Sequence, residues 1–341
     1  VFIENLIQSI AQQGVRISLF GRKIAPIQYL SRNIHFFPTP GHRMLLVGFV
    51  MAQMVSLLMA SPRKYFRLVT QYRKISKYES GGFLTWWGKV LPVVNHLPDI
   101  FHIQWAKGLK DWVWVQDFDM TLVLSLRGAH INYSPIANLD LAALYRNYFP
   151  QVDGFHAVSK AIAKEAAKYG ASPDRTKVVY SGLSQFEIEA EIKDKIDVLD
   201  VLKSEPLQLL SVGRPHWKKG YTYALDACKI LKLAGFKFKY TIIGGANDIE
   251  LLYHVHDLDL QDDVFLIEKQ NFTTVKSVMQ KADVLILPSI EEGIANVVLE
   301  SMALGTLVLS TTCGGMNEVI TDSHNGFLVP IRDPKAIANT V

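Results

Sequence analysis

The sequence predicts an α/β chain built on doubly wound parallel sheets, and three observations predict it. Short apolar runs alternate with helix-length segments about five times in the second half of the chain. Charged residues fall repeatedly on the loops that follow those runs, where open α/β sheets bind their ligands. The chain is 341 residues long, 49% apolar and only +4 in net charge, a globular composition large enough for two ordinary domains. Cys228 and Cys313 are far apart, without metal-ligand or redox spacing, so a reducing, cytoplasmic setting is expected over a disulfide framework.

Taken in order, the chain begins with a helical pattern after Val1-Phe2-Ile3-Glu4-Asn5. No acid stands between Glu4 and Glu79, whereas eleven cations do: Arg16, Arg22, Lys23, Arg32, Arg43, Arg63, Lys64, Arg67, Arg73, Lys74 and Lys77. The remainder of the chain is therefore acidic. Within the basic stretch, Met44 to Ala60 holds only Gln53 and Ser56 as polar residues. A membrane-spanning helix needs roughly 20 apolar residues, so this run is short, and cations flank it on both sides. It can be a helix of the domain's core or surface, an interfacial helix or a span. Cations beside an apolar face suit an anionic membrane surface. No nucleic-acid-binding module is recognisable, and nucleic acid is not an expected partner. Asp99 to Trp105 reads as a strand with a polar exit, and Met120 to Leu126 as a buried strand leading to Arg127-Gly128-Ala129-His130.

The second half is more regular. Leu207 to Val212 reads as a strand running into Gly213-Arg214-Pro215-His216-Trp217-Lys218-Lys219-Gly220, with a helix from Tyr221 to Leu233. Arg214 and Lys219 thus share a strand-to-helix loop. Phe238 to Ile243 is the next strand and ends in Gly244-Gly245. Val264 to Leu266, Val284 to Leu287 and Leu307 to Leu309 are further strands. Val284 to Leu287 leads through Pro288-Ser289 to Glu292-Gly293 and a helix starting near Ala295, with seven residues separating Glu292 from Glu300. A helix N-terminus offers free N–H groups and partial positive charge to a phosphate, and the two acids can accept hydrogen bonds from sugar hydroxyls. Taken alone, Glu292 could equally cap the helix and Glu300 could be solvated on its surface.

Other patterns carry less. Asp117-Phe118-Asp119 has the spacing of a carboxylate pair for a divalent ion, but it precedes a strand instead of ending one. Asp257-Leu258-Asp259 shares that weakness, and His254 and His256 would face opposite ways on a helix. No metal and no cofactor is expected.

Gly213-Arg214 with Lys219-Gly220, Leu287-Pro288-Ser289, Glu292-Gly293 with Glu300, Gly314-Gly315 with Glu318, and Asn325-Gly326-Phe327-Leu328-Val329 stand in one order. As a set they resemble the nucleotide-sugar domain of glycosyltransferase family 4, the retaining enzymes of GT-B fold. The likeness extends more weakly through the first half, where Val1 to Asn5, His156-Ala157-Val158-Ser159 and Val178 to Gly182 resemble the colanic-acid and exopolysaccharide branch. The resemblance implies two Rossmann-like domains facing a cleft: residues 1–183 on the acceptor side, a linker over 184–206, and a donor domain over 207–341. The family's first strand is expected to be missing, and its terminal helices cut short.

The expected activity is transfer of a hexosyl group, with retention, from a UDP- or GDP-sugar to a glycan acceptor carried on a lipid, at the inner face of the plasma membrane. Arg214, Lys219 and Glu292 are the candidate catalytic residues. Gly213, Gly244, Ser289, Gly293, Ala295, Asn296 and Glu300 are candidates for the donor. Arg127 stands where the family has a histidine facing the donor sugar, and Arg127, Gly128 and His130 are candidates for the sugar or acceptor side. An inactive nucleotide-binding or scaffold protein of the same fold is the alternative. A dehydrogenase also uses Rossmann units, but the second-half motifs argue against it.

Overall fold

A computed structural model of the chain describes residues 2–22, 31–75, 82–183 and 206–341. The expected linker lies outside these residues except for Pro206. Two compact units are present, residues 1–103 with 108–123, and residues 104–107 with 124–341. The division thus passes through the strand that precedes Arg127, well before the expected boundary at residue 183.

In the first unit α1 (Phe2–Gln12) precedes β1 (Ile17–Gly21) and β2 (Ile34–Pro38), which pair in parallel. Three helices follow: α2 (Arg43–Ala60), α3 (Pro62–Ile75) and α4 (Gly82–His96). Leu46, Val50 and Leu57 of α2 and Trp86, Trp87, Val90 and Leu91 of α4 are buried. After β3 (Ile100–Ile103) come a short α5 (Leu109–Trp112) and β4 (Thr121–Leu126).

The second unit continues with α6 (Ala129–Asn132), α7 (Ser134–Ala137), α8 (Leu139–Tyr148), β5 (Gly154–Ala157), α9 (Lys160–Ala167) and β6 (Thr176–Val178). Strands β3 to β6 form a sheet in sequence order. Then β7 (Leu207–Val212), α10 (Tyr221–Leu233), β8 (Phe238–Ile243), α11 (Ile249–Asp257), β9 (Val264–Ile267), α12 (Phe272–Lys281), β10 (Val284–Leu287), α13 (Asn296–Ala303), β11 (Leu307–Thr311), β12 (Phe327–Val329) and α14 (Pro334–Thr340) complete the chain.

Strands β7 to β12 form one parallel sheet of order β12-β11-β10-β7-β8-β9. Side chains alternate across it: Leu209, Tyr240, Ile242 and Ile286 enter one core, and Leu210, Ile243, Leu285 and Leu287 the other. Burial on both faces explains the continuous apolar run of β10, as parallel sheets covered by helices require. Helix starts follow local capping chemistry. Asp248 accepts from Leu251 N at 3.0 Å, Asn271 from Thr274 N at 2.9 Å and Asp333 from Ala336 N at 2.9 Å.

The strand order has one consequence for function. From β7 the chain winds outward through β8 and β9, then returns to β10 on the other side and winds outward again. β7 and β10 are therefore adjacent strands whose following helices cover opposite faces of the sheet. Such a switch point is where open α/β sheets leave a crevice at their carboxyl ends.

Candidate functional site at the switch point

Two loops flank this crevice, Gly213–Gly220 after β7 and Pro288–Ala295 after β10. Ile290 N donates to Lys218 O at 2.7 Å, so their backbones are tied together. The first loop makes a single 3₁₀ turn, Trp217–Lys219, and leaves it through Gly220 in the left-handed region, φ 62°. A Cβ at Gly220 would stand 2.1 Å from Pro288 O. Glycine there meets both the backbone angle and the close approach of the second loop.

The tied loops converge on Glu292, which is 9% exposed. Lys219 Nζ lies 2.7 Å from its Oε1 and Lys218 Nζ 3.4 Å from its Oε2. Ser289, fully buried, donates its hydroxyl to Oε1 at 3.4 Å. Two ammonium groups on one carboxylate leave the cluster with a surplus positive charge. Glu292 does not cap the following helix: Ala295 is the N-cap of α13 and contributes no side-chain bond. The first N–H groups of α13, from Asn296 onward, are therefore not taken by a capping side chain. Glu300 is half-buried one turn further along α13. Gly213 N donates to Ile243 O at 2.9 Å, and a Cβ on Gly244 would meet Gly213 O at 2.7 Å, so the two glycine loops lie against each other.

Arg214 stands apart. It is exposed and has no hydrogen-bond or ion-pair partner among the described residues. Of the expected cationic pair only Lys219 sits on the acid. Its companion is Lys218, which nothing in the sequence distinguishes from its neighbour, since adjacent lysines on a polar loop carry no pattern.

The candidates after β4 come close to the same loop. Gly293 packs so tightly that a Cβ there would lie 3.1 Å from Val158 Cγ2 and 3.7 Å from Gly128 N. Arg127 is buried and its guanidinium donates to Gln104 Oε1 at 2.9 Å, beside the Trp105 ring. Burial lowers its pKa to about 10. His130 packs against Trp105 with ring centroids 5.0 Å apart. Burial, then the charge of Lys107, holds its pKa below the usual histidine value, so it is neutral at pH 7.

Two further residues of this region carried no signal in the sequence. Asn132 Nδ2 donates to Glu291 Oε1 at 2.6 Å across 159 positions. Burial first, then the carboxylates of Glu165 and Glu292, holds the Glu291 carboxyl above its usual range. Tyr133, His216 and Trp217 form a ring cluster beside the basic loop, with Tyr133 and Trp217 centroids 5.4 Å apart.

Other motif residues are structural. Glu318 accepts from Lys160 N at 2.8 Å and Ala161 N at 2.9 Å, supplementing Ser159 at the start of α9. Asn325 closes a turn, accepting from Thr321 N at 2.7 Å. Asp117 takes the Gln71 amide on its carboxylate and the Arg67 guanidinium on its carbonyl. Asp259 is paired with Lys229, and His254 with Asp226. Among the described residues no three His, Cys, Asp or Glu side chains are grouped for a metal ion. Cys228 and Cys313 are buried and free, and burial raises the Cys313 pKa to about 12.

Known proteins match this architecture. The chain is 31% identical over 201 residues to the amylovoran biosynthesis glycosyltransferase AmsK of Erwinia amylovora, covering 57% of this chain and 48% of that protein. It is 37% identical over 143 residues to the putative colanic acid biosynthesis glycosyltransferase WcaL of Salmonella typhimurium, covering 39% and 34%. The chain thus spans about half the length, or less, of these relatives. In structure it is similar to sucrose-phosphate synthase from Thermosynechococcus elongatus, with a TM-score of 0.69 at 16% identity over 99% of this chain and 82% of that one. It is also similar to HepE of Anabaena, with a TM-score of 0.60 at 16% identity over 96% and 88%. A family model described as glycosyl transferases group 1 matches residues 193–341. Residues 193–341 therefore belong to the glycosyl transferases group 1 family, in a chain whose fold is GT-B.

Proposed function

We propose that the chain is a glycosyltransferase that moves a hexosyl group, with retention, from a UDP- or GDP-sugar to a glycan acceptor on a lipid carrier, in exopolysaccharide or cell-surface polysaccharide synthesis. The observation that carries this reading is the Lys218–Glu292–Lys219 cluster at the switch point, 3.4 and 2.7 Å across its two ion pairs. As the bond from the sugar's anomeric carbon to the diphosphate breaks and one to the acceptor oxygen forms, negative charge gathers on the leaving group. Lys219, Lys218 and the exposed Arg214 supply fixed positive charge there, with the N–H groups at the start of α13. Preorganised charge of this kind is usually the largest catalytic contribution.

Glu292 then has two tasks. It holds both ammonium groups in place, and its remaining lone pairs accept hydrogen bonds from the sugar hydroxyls. Glu300 binds the ribose hydroxyls. Gly213, Gly244, Gly293 and Ala295 let backbone approach the donor, and Ser289 and Asn296 orient it. Gly128, held against Gly293, and His130 border the sugar on the acceptor side. Arg127, turned toward Gln104, shapes that border. No metal and no organic cofactor takes part. The relatives of named function, in amylovoran and colanic acid biosynthesis, support a polysaccharide acceptor. The placement is cytoplasmic and peripheral, at the inner face of the plasma membrane, supported by the basic stretch of the first unit.

A calorimetric screen of UDP- and GDP-sugars, with NAD as the control, tests the reading. Micromolar binding of one nucleotide-sugar class, followed by transfer to a lipid-linked glycan, is expected. Binding of NAD alone would overturn it, and nucleotide binding without turnover on any acceptor would favour the inactive alternative.

A further inference from the structure

Helix α2 has two unlike faces. Leu46, Val50 and Leu57 are buried. At about 100° per residue they share one narrow arc of the helix. That arc is seated on α4: a Cβ on Gly88 would lie 2.7 Å from Leu46 Cδ1, and Asn95 Nδ2 donates to Gln53 O at 3.3 Å. On the opposite side Met44, Val47, Met51, Val55, Leu58 and Met59 fall within an arc of roughly 120°. All six are exposed, Met44 to 78%, Met51 to 57% and Met59 to 81%. An exposed apolar stripe of this length on a helix otherwise packed into a domain marks an interaction surface.

Its surroundings identify the partner. α3 follows after Ser61 alone and packs on α2. It presents Arg63, Arg73 and Lys74 to solvent, with Phe66 exposed beside them. Arg43 starts α2, and the sequence from residue 5 to 78 carries no acid. Cations on α2 and α3 outnumber the acid beside them, Asp117, which takes Arg67 and Gln71, and a cationic surround of this kind suits anionic phospholipid headgroups more than a protein partner of ordinary composition. The 18 residues of α2 are long and apolar enough to cross a bilayer. Crossing, however, would strip Leu46, Val50 and Leu57 from α4.

We propose that α2 docks lengthwise into the interface of an anionic membrane. Its methionine-rich stripe enters the acyl boundary, and Arg43, Arg63, Lys64 and Lys74 hold the headgroups. The inference rests on the peripheral placement proposed above and specifies the surface that produces it.

Flotation of the whole protein with phosphatidylcholine vesicles, with and without about one-third phosphatidylglycerol, tests it. Wild-type protein should float only with the anionic vesicles and be released by 0.5 M salt, roughly, because screening shortens the reach of the charges. M51D/V55D and R63E/K64E/K74E should each lower the floated fraction at least about tenfold. Both should keep wild-type nucleotide binding and melting temperature, since Met51, Val55, Arg63 and Lys74 are exposed and Lys64 is half-buried. Met51→Trp, an exposed replacement, should show a blue-shifted emission only with anionic vesicles. If wild type does not float, both the docking face and the peripheral placement are overturned. If wild type floats and M51D/V55D floats equally, this face is wrong while the placement stands. Retention through alkaline carbonate would mean a span and overturn docking in the plane. A dimer in solution that M51D/V55D dissociates would assign the face to a second copy instead.

Discussion

The ion pair between Lys219 and Glu292 makes a prediction that separates stability from catalysis. Lys219 Nζ is 2.7 Å from Glu292 Oε1, with side chains 17% and 11% exposed, and Lys218 holds the other oxygen at 3.4 Å. At an effective dielectric constant of about 20, Coulomb's law gives gross attractions of roughly 6 and 5 kcal/mol for these pairs, most of it offset by desolvation. Orphaning a buried charge costs about 3–5 kcal/mol. Here Lys218 remains, so Lys219→Ala should cost about 2–3 kcal/mol. In a Glu292→Gln background the same change should cost less than about 1 kcal/mol, because removing one lysine then relieves repulsion from the other. The coupling is therefore about 2 kcal/mol, well above the few tenths expected of independent sites. Thermal and guanidinium unfolding of the four whole-chain proteins measures it. Lys219→Ala alone should melt about 5–10 °C lower in the second unit. Turnover should also fall about 100-fold or more, the scale for losing an electrostatic stabiliser. Additivity within about 0.5 kcal/mol would refute the pairing argument, and near-normal turnover in Lys219→Ala would refute the leaving-group role whatever the stability result.

Other outcomes follow from the same geometry. Glu300→Gln should weaken binding of free UDP or GDP about tenfold, one hydrogen bond to a charged group, whereas Glu292→Gln should leave nucleoside diphosphate bound and impair transfer; calorimetry giving the reverse assignment would sink this division. On the proposed reading, in which lysines serve the diphosphate, transfer activity should survive EDTA; complete loss restored by manganese or magnesium would return Asp117 and Asp119 to consideration. Burial holds His130, His156 and His216 below their ordinary pKa. The unfolded chain therefore binds more protons than the folded one just below about pH 6.5, so stability should fall as pH drops through that value and be full above it. Melting temperatures from pH 7.5 to 5 check this, and an unchanged slope in His130→Gln and His156→Gln would remove those two histidines as its cause.

Much of the fold was legible in the sequence by itself. β7, β8, β10 and the helix Tyr221–Leu233 lie where the apolar periodicity put them, because strands buried on both faces and a helix with one buried stripe leave strong local patterns. The same holds for the start of α13 near Ala295 and for the apolar helix in the first unit. Lys219, Glu292 and Ser289 were legible too, since each stands on a loop directly after a strand.

What only the tertiary structure decided is which of those groups meet. β7 and β10 are adjacent although 75 positions separate the paired residues Leu210 and Leu285, a relation no local pattern expresses. That adjacency selected Lys218 and Lys219, not Arg214, as partners of Glu292. Tertiary packing also brought Asn132 to Glu291 and Gly128 to Gly293. It gave Glu318 and Asn325, motif residues by sequence, the work of holding a helix end and a turn. In the first unit the run from Met44 to Ala60 left core, interface and span open, because composition records how apolar a helix is but not which side is covered. Packing of Leu46, Val50 and Leu57 on α4 settled that one side faces protein and left the methionine stripe open. Local pattern reflects burial averaged over a few residues, whereas a site depends on which distant side chains the strand order sets within hydrogen-bond reach.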